Sequence, residues 1–235
     1  MIVKPIKTRI FKENENLFEF VTHYIKKLPE RSVVVVTSKI VALEEGRTVV
    51  PVDESTREKL IEQESDFVLR TKYTWLTIKD DIVMSSAGID ESNADGKLVM
   101  LPKDCFAAAQ KLRKKLQKHY GVKELGVLLT DSRLFPLRAG VVGVALGYAG
   151  FKGIKSYKGA PDIFGRTMEY SQTDIADGLA TAAVLTMGEG NEQQPLALIT
   201  KAPIEFCEKV NRKELHIDIA EDVYQPLFSK LPKKK

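Results

Sequence analysis

Two aspartates, Asp90 and Asp131, are the residues of this sequence best suited to binding a divalent cation. Asp90 lies in a polar block, residues 85–96, that contains three acids, three serines, an asparagine and two glycines. Asp131 stands between two hydroxyl groups in Thr130-Asp131-Ser132, directly after a run of apolar residues. Carboxylate and hydroxyl oxygens suit magnesium or manganese, which commonly share the phosphates of a nucleotide. We therefore expect two loops, each following a strand, to meet at a metal site, although a solvated loop or a helix cap would use the same residues.

Composition argues against several other kinds of site. The 235 residues carry a net charge of +4 and no basic stripe interleaved with aromatic residues, so we expect no nucleic-acid partner. Two cysteines, Cys105 and Cys207, form no CxxC pair and the three histidines are scattered, which argues against zinc and for reduced thiols in a cytoplasmic protein. The first residues lack the apolar segment of a signal peptide, and no run approaches the roughly 18 apolar residues of a membrane span.

Strand-like and helix-like segments alternate along the chain and predict an α/β or mixed α+β fold. The clearest strands are residues 32–36 and 125–129, which are apolar almost throughout, as expected of strands buried on both faces. The other predicted strands are 2–10, 73–79, 82–85 and 196–199, and the predicted helices are 14–28, 56–69, 104–120, 173–187 and 220–227. We predict a single domain over residues 1–230, with a possible subdomain boundary near 121–125, and a disordered basic tail over 231–235.

Two further segments could approach a ligand. Ser38 and Lys39 follow the valine-rich strand, where small polar groups can hold a phosphate or ribose but can equally begin a helix. Residues 138–150 contain four glycines among small apolar residues, which is typical of a strand that packs closely against another backbone or a ligand. This glycine-rich run matches neither the dinucleotide-binding fingerprint nor a P-loop.

Taken together, six motifs resemble the family of coenzyme F-420-0: L-glutamate ligases, in the family's order and at nearly its spacing. The motifs are Ser38…Glu45-Gly46-Arg47, residues 87–93, Thr130-Asp131-Ser132, residues 140–147, residues 162–166 and residues 176–190. The resemblance covers roughly residues 1–205. It implies the fold of that family, an intertwined homodimer, two magnesium or manganese ions, and an enzyme that uses GTP to join L-glutamate to a deazaflavin coenzyme precursor through an amide bond.

The resemblance also implies roles for individual residues. Asp90 matches a metal-binding aspartate, and Asn93 matches a residue that contacts the nucleotide. Asp131 and Ser132 match a second metal-binding pair, with serine in place of the family's usual threonine. The other positions implied to bind nucleotide are Thr8, Arg9, Ile10, Phe11, Ser38, Lys39, Gly188, Glu189 and Gly190. Glu189 is a candidate metal ligand as well, unless it only ends a helix.

Two departures from the family's pattern bear on the substrate. Where the family has a Ser-Lys pair before Glu-Gly-Arg, this chain has Ala42 and Leu43. After Thr-Asp-Ser/Thr the family has a Gly-Arg pair and then further arginines, whereas of these basic groups only Arg138 survives in residues 133–139. The pattern suits a relative with a different acceptor, and we favour a folate-directed branch over the deazaflavin one. The alternatives are a degenerate homologue that binds nucleotide and metal without catalysis, or an interaction protein built around its dimer.

Forming an amide from a carboxylate and an amine is uphill in water, so we expect GTP or ATP to activate the carboxylate as an acyl phosphate. Asp90, Asp131 and Arg138 are the candidate catalytic residues, because metal ions and a cation would offset the repulsion between carboxylate and triphosphate. Lys155 and Arg166 are candidates for holding the carboxylates of acceptor or glutamate.

These basic side chains have plainer alternatives as surface charges or structural ion pairs. Residues 162–166 could form a turn that buries Phe164 and pairs Asp162 with Arg166. Asp177, in the predicted helix 173–187, could be an ion-pair partner or a helix cap.

Overall fold

The computed structural model describes residues 1–51 and 53–228, which form two compact units. The larger unit contains residues 1–46 and 102–214, and the smaller contains residues 47–101 and the described residues after 214. Residues 121–125 lie inside the larger unit, and the single domain over 1–230 stays a prediction. The tail predicted for 231–235 lies outside the described residues.

Twelve strands and six helices are assigned among the described residues. The strands are β1 (Ile2–Ile6), β2 (Ser32–Thr37), β3 (Thr48–Val49), β4 (Phe67–Arg70), β5 (Trp75–Lys79), β6 (Ile82–Ser85), β7 (Leu98–Val99), β8 (Leu125–Leu134), β9 (Val141–Ala149), β10 (Ile154–Ser156), β11 (Gln172–Asp174) and β12 (Leu196–Thr200). The helices are α1 (Leu17–Tyr24), α2 (Ser38–Glu44), α3 (Glu54–Glu64), α4 (Cys105–Tyr120), α5 (Ile175–Met187) and α6 (Gln225–Phe228). The predicted mixed α/β class is confirmed. No helix in residues 1–51 and 53–228 combines the length and the apolar character that crossing a membrane requires.

The larger unit is built on a five-stranded sheet in the order β1-β12-β2-β8-β9. Strand β2 pairs in parallel with β8 and antiparallel with β12, and the remaining pairs are antiparallel. Helices α1, α2 and α4 pack on one face through an apolar core that includes Val34 and Val36. Helix α5 packs on the other face against β8 and β9. Because β2 is covered on both faces, its four consecutive valines are all fully buried.

Side-chain caps define the two long helices of this unit. The carboxylate of Asp104 accepts from the Ala107 N–H at 2.8 Å and begins α4, which ends at Gly121 in the left-handed conformation, with φ at 69°. The carboxylate of Asp174 accepts from the Asp177 N–H at 2.9 Å and begins α5. The predicted helices over 104–120 and 173–187 are therefore confirmed to within two residues.

Five predicted elements differ from the structure by more than two residues at one end or both. The strand predicted over 2–10 ends at Ile6, and the helix predicted over 14–28 spans only Leu17–Tyr24. The helix predicted over 56–69 ends at Glu64, because β4 instead pairs with β5 as the edge of a three-stranded antiparallel sheet. The strand predicted over 125–129 continues to Leu134, because its second half pairs with β9. The helix predicted over 220–227 is reduced to the four residues of α6.

The smaller unit holds the loop that contains Asp90. Its core comprises Ile61, Ala87, Ile89, Leu98 and Met100, beside the β4-β5-β6 sheet and the β3-β7 pair. Ser86, Ala87 and Gly88 form a tight turn in which all three have positive φ. A side chain on Gly88 would collide with Leu101, so this turn requires glycine there.

Candidate functional site

Several predicted ligand-binding segments meet at one end of the five-stranded sheet in the larger unit. Strands β1, β2 and β8 run in the same direction, so their carboxyl ends point the same way. Past the end of β1, the Thr8 N–H donates to the Gln193 carbonyl at 2.9 Å. At the end of β2, the Thr37 N–H donates to the Pro195 carbonyl at 3.0 Å, and Thr37 pairs in register with Thr130.

We call this region the sheet-end site and define it as Thr8, residues 37–39, residues 130–133 and residues 188–195. In open α/β sheets, the carboxyl ends of parallel strands are where ligands usually bind. The location is therefore consistent with the nucleotide contacts predicted for Thr8, Ser38, Lys39 and Gly188–Gly190. Those roles stay predictions.

Asp131 lies within β8, where its carboxylate forms an ion pair with the guanidinium of Arg133. The expectation of a loop after the strand was wrong, because β8 pairs with β9 as far as Leu134. Residues two apart on a strand project from the same face, which places the two side chains together. Arg133 Nη1 also donates to the Ser132 carbonyl oxygen at 2.8 Å. The Arg133 side chain is only 7% exposed, against 26% for Asp131.

Two further carboxylates lie at the start of α5. Asp177 accepts from the Ala145 N–H at 2.8 Å, and Ala145 is in register with Thr130. Burial raises the pKa of the Asp177 carboxyl, while the Ala145 N–H and the positive charge of Arg133 partly oppose that rise. Burial also raises the pKa of Asp174, to about 6, with a contribution from the negative charge of Asp177. Asp174 remains exposed to solvent on one side, so water moderates this effect.

The Thr130 hydroxyl is a second unusual feature of the same strand. Thr130 is 1% exposed, and among the described residues nothing forms a hydrogen bond with its Oγ1. Buried hydroxyl groups are satisfied in most proteins, and exceptions tend to have a functional or strain-related cause. One such functional cause would be that the Thr130 hydroxyl oxygen contacts a ligand.

The sequence is similar to one protein family over most of its length. A sequence model of the family described as F420-0:Gamma-glutamyl ligase matches residues 5–201. The chain belongs to this family. Its predicted resemblance to the F-420-0 glutamate ligases is thereby confirmed.

Two named relatives are described as coenzyme F420:L-glutamate ligases. The "Coenzyme F420:L-glutamate ligase" of Methanococcus maripaludis is 38% identical over 147 residues, which is 63% of this chain and 58% of that protein. The protein of that name from Archaeoglobus fulgidus is 30% identical over 208 residues, 81% of this chain and 83% of the relative. The chain thus matches less than two thirds of the length of the Methanococcus relative.

The loop after α5 contains the Gly-Glu-Gly sequence of this F420-0:gamma-glutamyl ligase family member. Gly188 has φ at 83° and ends the helix, with its N–H donating to the Val184 carbonyl at 2.9 Å. The carboxylate of Glu192 folds over Gly188 and accepts from the Gly190 N–H at 2.8 Å. The positive φ of Gly188 favours glycine there, and any side chain would also force the Glu192 carboxylate to shift.

The segment predicted to bind nucleotide over Thr8–Phe11 is largely committed to structure. Arg9 forms an ion pair with Glu15 and lies 5.1 Å from the centre of the Phe20 ring. Phe11 is buried and packs edge-on against Phe20, whereas Ile10 is exposed. Thr8 is committed as well, because it is 5% exposed, its N–H donates to the Gln193 carbonyl and its hydroxyl donates to the Arg9 carbonyl at 2.7 Å.

Arg138, Lys155 and Arg166 lie outside the sheet-end site as defined above. Arg138 is in the β8–β9 turn, where its N–H donates to the Phe135 carbonyl at 3.2 Å. Lys155 lies on β10 and lines a cleft of about 800 Å³ that also includes Lys152, Glu205, Phe206 and Glu214. Lys152 and Glu205 pair within this cleft at 2.5 Å. The Lys155 ammonium lies 5.1 Å from the centre of the Tyr157 ring.

The turn at residues 162–166 is held largely by the Asp162 carboxylate. Asp162 accepts from the N–H groups of Phe164 and Arg166 at 2.8 and 2.9 Å. The alternative in which Phe164 enters the core was wrong, because its side chain is 88% exposed.

Asp90 is held firmly within the smaller unit. Its main chain exchanges hydrogen bonds with Val99 at 3.0 and 2.8 Å, so the loop is tied to β7. Its carboxylate accepts from both the N–H and the hydroxyl of Ser92, at 2.8 and 2.7 Å. Asn93, three residues on, has φ at 51°. Because Asp90 and Asp131 belong to different units, their meeting at one metal site stays a prediction.

The oxygen donors at Asp131 suit a magnesium-type ion whose coordination is completed by water and phosphate. They do not form a site in which protein ligands alone surround the ion. Within residues 1–51 and 53–228, no three His, Cys, Asp or Glu side chains gather as a metal-binding group. Magnesium, however, needs only one or two carboxylates when waters and phosphates complete its shell. Asp131 and Ser132 supply oxygen donors of the required type. Arg133 occupies one carboxylate oxygen, and a carboxylate has lone pairs for further partners.

Sequence reasoning missed two charged residues of this region. Asp174 could have been found as a helix cap, since it stands three residues before Asp177 at the start of an alanine-rich helix. Arg133 lies two residues after Asp131, a spacing that places two side chains on the same face of a strand. This spacing is informative only once β8 is known to extend as far as Arg133.

Proposed function

We propose that this chain is a γ-glutamyl ligase that joins the amine of L-glutamate to a carboxylate of a folate-like or deazaflavin (coenzyme F-420-0) acceptor. Membership of the F420-0:gamma-glutamyl ligase family supports the reaction class. The observation that carries the proposal is the sheet-end site, where the segment after α5 contacts Thr8 and Thr37 through the carbonyls of Gln193 and Pro195, and Thr37 pairs with Thr130, the residue before Asp131. We also propose that the chain works as a homodimer, as the resemblance implies.

The proposed reaction consumes one nucleoside triphosphate, GTP or ATP, for each amide bond. A carboxylate oxygen of the acceptor attacks the γ-phosphorus, and nucleoside diphosphate leaves. The glutamate amine then attacks the carbonyl carbon of the acyl phosphate. Phosphate leaves, the nitrogen loses a proton, and the products are amide, nucleoside diphosphate and phosphate.

The chain's residues would act chiefly through charge. Asp131 and Ser132, with Glu189, would hold magnesium or manganese. A bound ion would supply positive charge that offsets the repulsion between the acceptor carboxylate and the triphosphate. Lys39 and Arg138 would add positive charge. Lys155 and Arg166 would hold substrate carboxylates, Asp90 would bind metal, and Asn93 would contact the nucleotide.

A second function is a module that binds nucleotide or metal without catalysis. The ion pair between Asp131 and Arg133 favours it, because the candidate metal ligand already has a cationic partner. The replacement of the family's Ser-Lys pair by Ala42 and Leu43 points the same way.

One experiment separates the two functions. The full chain is incubated with Mg²⁺ or Mn²⁺, GTP or ATP, L-glutamate, and either a reduced folate or the deazaflavin F-420-0. The ligase predicts an acceptor mass increased by one glutamyl residue, with phosphate release that requires both glutamate and acceptor. Nucleotide binding without a glutamylated product for either acceptor would favour the module.

A further inference from the structure

We propose that Arg133 is a tethered cation that competes with the divalent metal for Asp131 and thereby sets the affinity of the metal site. This inference deepens the proposed function and rests on the metal-binding role proposed for Asp131. It concerns the chain's own charges and does not depend on which acceptor is used.

The first support is where the Arg133 guanidinium lies. Its Nη1 atom contacts a carboxylate oxygen of Asp131 and donates to the carbonyl oxygen of Ser132 at 2.8 Å. Both contacts are with residues proposed to hold the metal. A cation at this carboxylate must therefore displace the guanidinium or share Asp131 with it.

The second support is that the charge of Arg133 is permanent and largely enclosed. The side chain is 7% exposed, and an arginine keeps its proton under all ordinary conditions. Two cations on one carboxylate repel each other, and the repulsion is weakly screened where solvent is largely excluded. Metal binding at Asp131 therefore weakens the Asp131–Arg133 ion pair, and the ion pair weakens metal binding by the same free energy.

The third support is a second carboxylate, that of Asp177, which interacts with the Arg133 guanidinium. Burial raises the pKa of Asp177 at the start of α5, and the positive charge of Arg133 partly opposes that rise, so the two groups interact electrostatically. A buried arginine that lost its only anionic neighbour would be strongly destabilising. With Asp177 within electrostatic reach, Arg133 can give up Asp131 and still have a compensating negative charge.

The test is the affinity of the full chain for Mn²⁺, measured by calorimetric titration without nucleotide, glutamate or acceptor. Replacing Arg133 with glutamine removes the charge, and Arg133→Met keeps the apolar stem should the glutamine variant fail to fold. We expect either to bind Mn²⁺ about tenfold more tightly or better, within the usual range of coupling between two sites. Arg133→Lys keeps the charge and should stay much closer to the wild-type affinity.

Two controls define the effect. Arg212→Gln removes an exposed arginine of the same unit, one that pairs with Asp104 at 2.9 Å, and should leave Mn²⁺ binding unchanged. Asp131→Asn should abolish the gain when it is combined with Arg133→Gln. The inference is overturned if loss of the charge leaves Mn²⁺ affinity equal or weaker, or if Arg133→Lys tightens binding as much as Arg133→Gln. Because the titration contains no substrate, its result is independent of whether the ligase assay succeeds.

Discussion

Replacing Thr130 with valine is expected to stabilise the chain, which is unusual for a change to a fully buried residue. The hydroxyl is 1% exposed and has no hydrogen-bond partner among the described residues. An unsatisfied buried polar group costs about 1–3 kcal/mol, and valine has nearly the same shape without that cost. We therefore expect the free energy of unfolding to rise by about 1–2 kcal/mol, which corresponds to roughly 2–8 °C in melting temperature for a chain of this size.

The same substitution at Thr77 provides a matched control of opposite sign. Thr77 is also fully buried, but its hydroxyl donates to the Met84 carbonyl and accepts from the Ala87 N–H, both at 2.8 Å. Valine there would remove both hydrogen bonds and leave the buried Ala87 N–H without the Thr77 hydroxyl as its acceptor, so Thr77→Val should lower stability by about 1–3 kcal/mol.

Urea unfolding followed by far-UV circular dichroism measures both changes in the full chain. The reasoning fails if Thr130→Val is destabilised as much as Thr77→Val, since that would mean that the Thr130 hydroxyl has a partner in solution. Gained stability together with a lost nucleotide-dependent shift in melting temperature would show that the hydroxyl is retained for a ligand.

Three further predictions concern packing, pH and charge. Gly143→Ala should destabilise by about 1–3 kcal/mol in urea unfolding, because its Cβ would lie 2.5 Å from a carbonyl oxygen of α5. Gly178→Ala, in open space on that helix, should stabilise by about 0.5–1 kcal/mol, and equal effects would refute the packing account. The folded state raises the pKa of Asp174 to about 6, so protonation of this carboxyl favours folding. This stabilisation is complete when the pH is below the ordinary pKa of the carboxyl, and it is lost as the pH rises through about 6. Asp174→Asn, which can still cap α5, should therefore gain stability relative to wild type between pH 4 and pH 7, whereas parallel pH profiles would contradict this. Asp90→Asn and Asp131→Asn should each lower ligase turnover at least about a hundredfold with an unchanged circular dichroism spectrum, and near-full rate in either excludes that residue from an essential role.

The elements that the sequence predicts well are those whose signal is local. Strand β2 is a run of valines, and α4 begins at Asp104 and ends at Gly121, so both could be located from neighbouring residues alone. Errors arose where pairing between distant segments decides the structure. Residues 67–69 are predicted as the end of a helix but belong to β4, because this segment pairs with β5.

The candidate site depends on such distant pairing even more. The neighbourhood of Thr8, Thr37 and Thr130 follows from the strand order β1-β12-β2-β8, which no local pattern specifies. Motifs could identify Asp131 as a residue of interest, but the extension of β8 that brings Arg133 beside it depends on β9. Asp177, at the start of α5, contacts the sheet beside Thr130 through the Ala145 N–H, again a contact between distant parts of the chain.

The distribution of unfavourable features along β8 separates structure from function. The first half of the strand, from Leu125 to Leu129, is buried, and all of its side chains are apolar, with Gly126 contributing none. Within the next four residues come a buried hydroxyl with no hydrogen-bond partner in the part of the chain that the structure describes, a carboxylate, and a buried arginine. Selection for stability alone would replace these groups with apolar ones, since a buried ion pair rarely stabilises more than packed side chains of similar size. Their concentration at the carboxyl end of the sheet is what a ligand-binding role would maintain. Thr130→Val tests that role directly, because it removes the hydroxyl, and with it any contact to a ligand, while it should raise the stability of the fold.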